Sequence, residues 1–288
     1  MCNCKTGGDA RPCYPSSLSD AVWAVIEPLM PVRDRAQGGA ARKYGDRLVL
    51  DAIFFVLRSG CQWRMVPRDL LPWDAAYRWY RTWAADGTWD RVHDALRAQV
   101  RAAHGRDPAP SAAVLDAQSI KTSEGGQARG FDAGKRTTGR KRHMVVDTLG
   151  LVLVIAVTSA SVQDRPGGRR ALKALAARFP SVGLVWADAG YANQVDNRLL
   201  AWAREKLRLV VQIVKRSDDA KGFQVLPRRW VVERTFGWLV RNRRLARDYE
   251  RLTDNSETMV KIAMIRLMAT RLADESVLWS NRPTHQNV

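Results

Sequence analysis

Three acidic residues in this 288-residue chain stand where acids are out of place. Asp116 interrupts the apolar run "AVLDAQSI", where strand propensity and the cost of burying a charge both disfavour it unless something positive compensates. Asp188 ends the run "GLVWAD" just before "AGY", at the carboxyl end of an expected strand. In open α/β sheets that is the usual place for a site. Glu233 lies in "RRWVVERTFGWLVRNRRLARDYER", a stretch from Arg228 to Arg251 with eight arginines. Its helical neighbours at i±3 and i±4 are Arg229, Trp230, Phe236 and Gly237, a mostly apolar face that does not suit an idle glutamate.

Taken singly, each acid has an ordinary reading: Asp188 as a turn cap, Glu233 as a partner of Arg229, Asp116 as a strand-end residue. Together, two strand carboxylates and one helix carboxylate are the hard oxygen ligands that Mg²⁺ requires, with positions left for water and phosphate oxygens. Two such ions about 3.5–4 Å apart activate a nucleophile on one side and stabilise the leaving oxygen on the other, which is phosphoryl transfer. Asp147, ahead of a hairpin turn, and Asp164, in "VQDRPGG", read as structural.

The elements that must position these acids follow from breakers and periodicity. Residues 17–104 read as four helices: one capped by Ser17 or Ser19 and stopped at Pro31, one capped by Asp46 and ended at Gly60, one starting at Pro72 and ended at Gly87, and one capped by Thr88. The six tryptophans of this region read as core rather than base-stacking residues. "GRDPAPSA" (105–112) is the best linker. Beyond it, strands are expected at 112–118, 143–148 and 151–158, the last two joined by Leu149-Gly150 as a hairpin. A helix, the strand ending at Asp188, a second helix, the strand "LRLVVQIV" and the Glu233 helix complete the order βββαβαβα. This predicts an α/β mixed sheet flanked by helices, preceded by an all-α N-terminal domain. The expected division is a tail over 1–16, a helical unit over 17–108, an α/β domain over 109–274 and a second tail over 275–288. The Gly-rich, basic stretch 121–143 reads as a long loop gripping a polyanion backbone, with solvated loop as the bland alternative.

Bulk properties set the partner class. The formal net charge is +18 with a pI near 10.5, most of the excess lies beyond Pro110, and arginine dominates lysine. A polyanionic partner is the plain reading, since each phosphate contact releases a counterion. No run approaches the ~18 apolar residues of a membrane span, and the amino terminus lacks a signal-peptide core, so a cytosolic protein without membrane association is expected. Cys2, Cys4 and Cys13 form no paired C-x-x-C and have no histidine at ligand spacing, so no structural zinc is expected.

"LDAQSIKT", "GFDAGKRTTGRKRHMVVDTLGL", "ASVQDR", "ADAGYAN" and "RRWVVERTFGWLVRNRRLARDYE" together resemble the DDE transposases of bacterial insertion sequences, from about Tyr14 to Leu272. The resemblance implies a ribonuclease-H-like fold in which Asp116 and Asp188 sit on neighbouring strands crossed by the Glu233 helix. It assigns Asp116, Asp188 and Glu233 as the metal-holding catalytic triad, with Arg229 as the arginine four residues before the glutamate. The wider insertion-sequence signature has a Tyr where this chain has Leu226 and a Lys where it has Val240, with Arg241 next door. It further implies two Mg²⁺ ions, with Mn²⁺ able to substitute, and double-stranded DNA as partner: the terminal inverted repeats of the element and a target site. Cleavage would free a 3′-OH that is then joined to target DNA in a homodimer or larger synaptic assembly, in a bacterial cytoplasm and on the nucleoid when DNA-bound. Lys121, Lys135, Arg136, Arg140, Lys141, Arg142, Arg229, Arg234, Arg241, Arg243 and Arg244 are the expected DNA contacts. End recognition is expected in the helical region, around the Gly60–Leu71 turn or around Gly87. The alternatives are a DNA-binding repressor with an inactive centre, and a metal-dependent nuclease or resolvase that does not join strands.

Overall fold

The computed structural model describes residues 14–32, 43–123, 125–192, 197–214 and 229–275. Its first part is helical: α1 (Asp20–Ile26) with a 3-10 turn over Glu27–Leu29, α2 (Asp46–Ser59), α3 (Trp73–Ala85) and α4 (Thr88–Ala103). Ser19 caps α1, its side chain accepting the Val22 N–H. Two expected caps move by one residue. Gly45 and Gly87 hold the cap positions of α2 and α4, and Asp46 and Thr88 become first-turn residues. Ahead of α4 the carboxylate of Asp86 accepts the Thr88 N–H, so the orphan donor is met from the preceding turn. Trp83 and Trp89 are fully buried, as core tryptophans should be, whereas Trp73 is 37% exposed.

The second part is a six-stranded sheet: β1 (Ala112–Lys121), β2 (Gly130–Asp132), β3 (Thr137–Asp147), β4 (Val152–Ser159), β5 (Leu184–Ala187) and β6 (Val210–Ile213). The order is β2-β3-β1-β5-β6, and β4 also pairs with β3. β1, β3 and β4 are antiparallel, while β1, β5 and β6 run parallel. The helices α5 (Asp164–Arg178) and α6 (Arg198–Leu207) connect the parallel strands, followed by α7 (Trp230–Val240), the one-turn α8 (Arg243–Ala246) and α9 (Thr253–Leu272). This is a ribonuclease-H-like α/β fold behind a helical N-terminal region. Gly150 has φ +83° in the β3–β4 turn, a conformation in which a Cβ would be strained, and an added Cβ would also meet Thr235 of α7.

The stretch expected as a loop over 121–143 is in large part strand. β1 continues to Lys121, β2 forms a short extra strand and β3 begins at Thr137. Within β3, Arg140 is paired with Asp248 and Lys141 with Asp132 and Asp164, while Arg142 donates to the Leu245 carbonyl, so these cations are held inside the fold instead of in water. Leu226 and Cys2, Cys4 and Cys13 lie outside the described residues.

One face of the sheet packs Ala113, Leu115 and Val145 against α5 and α6. The other packs Val114, Met144 and Ile155 against α7 and α9, in a core continuous with α1 to α4. The helical region therefore has no core separate from that of the sheet, and the junction expected at 108/109 does not divide the hydrophobic interior. α9 is the shared element, with Met259, Val260, Ile262, Met264, Ile265 and Met268 all fully buried.

The junction is also pinned by charge. Arg101 at the end of α4 donates to Asp147 at 2.6 Å and to the Asp107 carbonyl at 2.7 Å. Asp147 is fully buried, and its second oxygen accepts the N–H groups of Leu149 and Leu151 in the hairpin turn. Asp147 is thus a structural acid, as expected. Asp147→Ala should cost about 3–5 kcal/mol of stability, because it strands a buried guanidinium. Urea unfolding of the variant checks this, and a loss below about 1 kcal/mol would show that the pair does not hold the junction.

Candidate active site

The geometry of the site begins with strand register. β1 and β5 pair in parallel with Val114 opposite Trp186, so Asp116 and Asp188, each two residues further on, leave adjacent strands on the same face. Across β1, Asp116 pairs with Met144, whose side chain belongs to the core under α7 and α9. α7 packs on β1 and β3 on this face and brings Glu233 to the two aspartates.

Each aspartate is fixed through one oxygen. Asp116 Oδ1 accepts the Ala117 N–H at 2.7 Å, and Asp188 Oδ1 accepts the Gly190 N–H at 2.9 Å as the cap of a 3-10 turn over Ala189–Tyr191. The other oxygen of each faces a common point, and at that point lies a guanidinium nitrogen. Arg229 Nη2 is 3.7 Å from Asp116 Oδ2, 3.7 Å from Asp188 Oδ2 and 3.9 Å from Glu233 Oε1. Exposure rises across the group, from 15% of the Asp116 side chain to 30% for Asp188 and 49% for Glu233. Burial, reinforced by the charge of Asp188, raises the Asp116 carboxyl to about 6, against the opposing pull of the Ala117 N–H, Arg229 and Lys135.

Beneath the turn that carries Asp188, the Tyr191 ring is fully buried against α5. A Cβ added at Gly168 would stand 2.5 Å from that ring, so the glycine is what lets α5 approach. The Tyr191 hydroxyl has no hydrogen-bond partner among the described residues, and burial raises its pKa well above the usual phenol value. Asp164 lies on the same side but is paired with Lys141 at 3.1 Å, consistent with its structural reading.

The basic residues expected on DNA divide sharply. Lys121, Lys135, Arg136, Arg241 and Arg243 are exposed. Lys135 also reaches back with its Nζ to the Ala117 carbonyl at 2.8 Å, next to Asp116. Arg140 and Arg142 are fully buried, which corrects their expected role as phosphate grips. Arg140 donates to the carbonyls of Gln127, Glu250 and Arg251 and pairs with Asp248, and Arg142 donates to the Leu245 carbonyl. Lys141 is buried between Asp132 and Asp164, and Arg244 is held by Glu250 and the Cys61 carbonyl, so these two are corrected likewise. Arg234 is half-buried, donating to the Leu149 carbonyl and stacked over Trp230 and Trp238 at 4.3 and 4.6 Å. Sequence reading passed over Arg129, Phe131, Trp230 and Tyr249. Phe131, Trp230 and Tyr249 are exposed at 55%, 39% and 40% among surface cations, and nothing in a single sequence separates an exposed aromatic from a core one.

A family profile described as "Transposase DDE domain" matches residues 107–268, more than half of the chain and all three carboxylates. The chain belongs to the DDE transposases of bacterial insertion sequences. A second profile, for a candidate transposase of IS4/5 family, matches residues 18–93 of the helical region. Among curated proteins, the "Insertion element IS402 uncharacterized 16.2 kDa protein" of Burkholderia cepacia is 36% identical over 117 residues, 39% of this chain and 78% of that protein. A candidate transposase for insertion sequence element IS402, also from Burkholderia cepacia, is 30% identical over 151 residues, 48% of this chain and 68% of its own. No solved structure matches.

A DDE domain implies divalent metal in general. The donor chemistry of this transposase fits such an ion: three carboxylate oxygens turned to one point, two of them braced through their partner oxygens. With Arg229 between them the acids stand too far apart to close on one ion, and no group of three ligating residues among those described does so. Asp116, Asp188 and Glu233 would hold the metal once the guanidinium leaves the middle.

One consequence concerns stability without metal. The folded-state pKa of Asp116 is raised to about 6, so ionising it disfavours the fold as pH climbs from about 4 through 6, and the penalty is complete above that. Asp116→Asn should therefore raise stability in chelator-containing buffer at pH 8, by up to about 3 kcal/mol, with the gain vanishing near pH 4. Thermal unfolding at the two pH values decides it; a variant less stable than the parent at pH 8 would contradict the assigned burial cost.

Proposed function

We propose that this transposase cuts DNA at the terminal inverted repeats of its insertion sequence and joins the freed 3′-OH to target DNA, with Asp116, Asp188 and Glu233 holding two Mg²⁺ ions. The observation that carries the reading is the convergence of three carboxylates on one point, in the chain order and on the elements that the DDE arrangement requires. Bound metal would supply Lewis-acid activation of the attacking oxygen and neutralise the leaving one. The protein's own contribution is positioning and charge. Backbone N–H groups fix the two aspartates, the partly buried Asp116 limits water at the base of the site, and Lys135 adds positive charge beside it. The exposed cations Lys121, Lys135, Arg136, Arg241 and Arg243 would bind phosphates. Two ends must meet for concerted joining, so the active species is a homodimer or larger assembly. The compartment is the bacterial cytoplasm; no helix among the described residues is long and apolar enough to cross a membrane.

A supercoiled plasmid carrying the element's ends, incubated with the protein and Mg²⁺ or Mn²⁺, tests the reaction. Joined products are expected, and Asp116→Asn, Asp188→Asn or Glu233→Gln should lower their yield by roughly 10³-fold or more, since each removes a metal ligand. Cleavage without joining would instead indicate a nuclease or resolvase, and DNA binding without cleavage a repressor.

The division among the cations gives a separate prediction. Lys135→Ala and Arg136→Ala should weaken DNA binding across sequences and lower the slope of log affinity against log salt by about one each. Arg142→Ala should leave the slope unchanged in the folded fraction and destabilise the chain. Anisotropy titrations at several salt concentrations would reverse the assignment if Arg142→Ala alone changed the slope.

A further inference from the structure

Resting on the metal-centre reading above, we infer that Arg229 is a resident countercharge that competes with divalent metal for the three carboxylates and is drawn away by DNA phosphate. The argument is one of space and charge. Arg229 precedes α7 directly and Glu233 follows it by one helical turn, so the guanidinium and the third acid enter the site from the same element. Its Nη2 is within 3.9 Å of an oxygen of each of the three acids. At 3.7–3.9 Å these contacts are electrostatic, longer than hydrogen bonds, and so carry little directional hold. Its Nε is buried with no hydrogen-bond partner among the described residues, a donor that gains one by moving.

A divalent ion needs carboxylate oxygens at about 2.0–2.6 Å, and the same three oxygens cannot close to that range around a guanidinium. Metal and Arg229 are therefore alternatives. One positive charge among three negative ones keeps the acids assembled without cancelling them, which leaves the group attractive to a more highly charged ion. The displaced guanidinium then needs an anion with a forked oxygen edge, and a DNA phosphate at the site offers one. Binding of DNA and of metal is thereby coupled, and the coupling is reciprocal: each ligand should tighten the other by the same factor. In the absence of DNA, Arg229 keeps metal affinity low, which restrains hydrolytic chemistry away from a substrate.

The test measures Mn²⁺ binding to the full chain by electron paramagnetic resonance, without DNA, for the parent, Arg229→Gln and Arg229→Lys. Removing one charge at this range should tighten Mn²⁺ by about tenfold or more in Arg229→Gln, while the charge-keeping Arg229→Lys stays within about threefold of the parent. Adding Glu233→Gln to Arg229→Gln should abolish the gain, which locates the ion at the triad. In parallel, anisotropy of a labelled DNA duplex is followed with and without Ca²⁺ at constant ionic strength. Ca²⁺ should tighten duplex binding more in the parent than in Arg229→Gln. Unchanged or weaker Mn²⁺ binding by Arg229→Gln would make Arg229 an organiser of the site and overturn the competition. Absence of Mn²⁺ binding in every variant, with duplex binding indifferent to Ca²⁺, would instead sink the metal-centre reading, and this inference with it.

Discussion

Mutual repulsion among Asp116, Asp188 and Glu233 is the constraint around which the α/β half of the molecule is built. Three like charges gathered at one point oppose folding, and the surrounding structure has to hold them there. Parallel pairing of β1 with β5 fixes the separation of the two aspartates, and backbone N–H groups take one oxygen from each. α7 lies across the same face, anchored by Val232, Phe236 and Leu239, and so cannot withdraw the glutamate. The arginine delivered by the same helix supplies the single opposing charge. Rigidity of the scaffold and strain in the site are two sides of one design.

Much of this was legible in the sequence because the signals were local. An acid inside an apolar strand breaks a propensity rule, and an acid at a strand's carboxyl end stands where α/β sheets usually carry a site. The order of the helices α1 to α7 and of every strand but β2 was readable for the same reason: Gly150 in the β3–β4 turn and the breakers at Gly60 and Gly87 act on their immediate neighbours.

What could not be read was set by residues distant in the chain. "GKRTTGRKR" looks like solvated loop, yet Arg140 and Arg142 are buried in β3, held by backbone carbonyls of the 245–251 stretch and by Asp248. A run of cations resembles a DNA grip until the buried acids that meet it are known. α9 escaped notice for the opposite reason. Buried on several sides, between α4, β4, α1 and α7, it shows no apolar stripe to betray a helix. The displaced caps at Asp46 and Thr88 are smaller cases, in which a preceding glycine took the non-helical position.

Because α9 belongs to the interior of both halves, the helical region is not a module that can be exchanged by itself. A recombinant protein that borrowed residues 17–108 from a relative would set foreign side chains against Met259, Ile262 and Ile265. Substitutions in α1 to α4 are thus tolerated on their outward faces more readily than on the inward faces that meet α9. Relatives that diverged on the inward faces of these helices would, by the same logic, carry compensating changes in α9, far away along the chain.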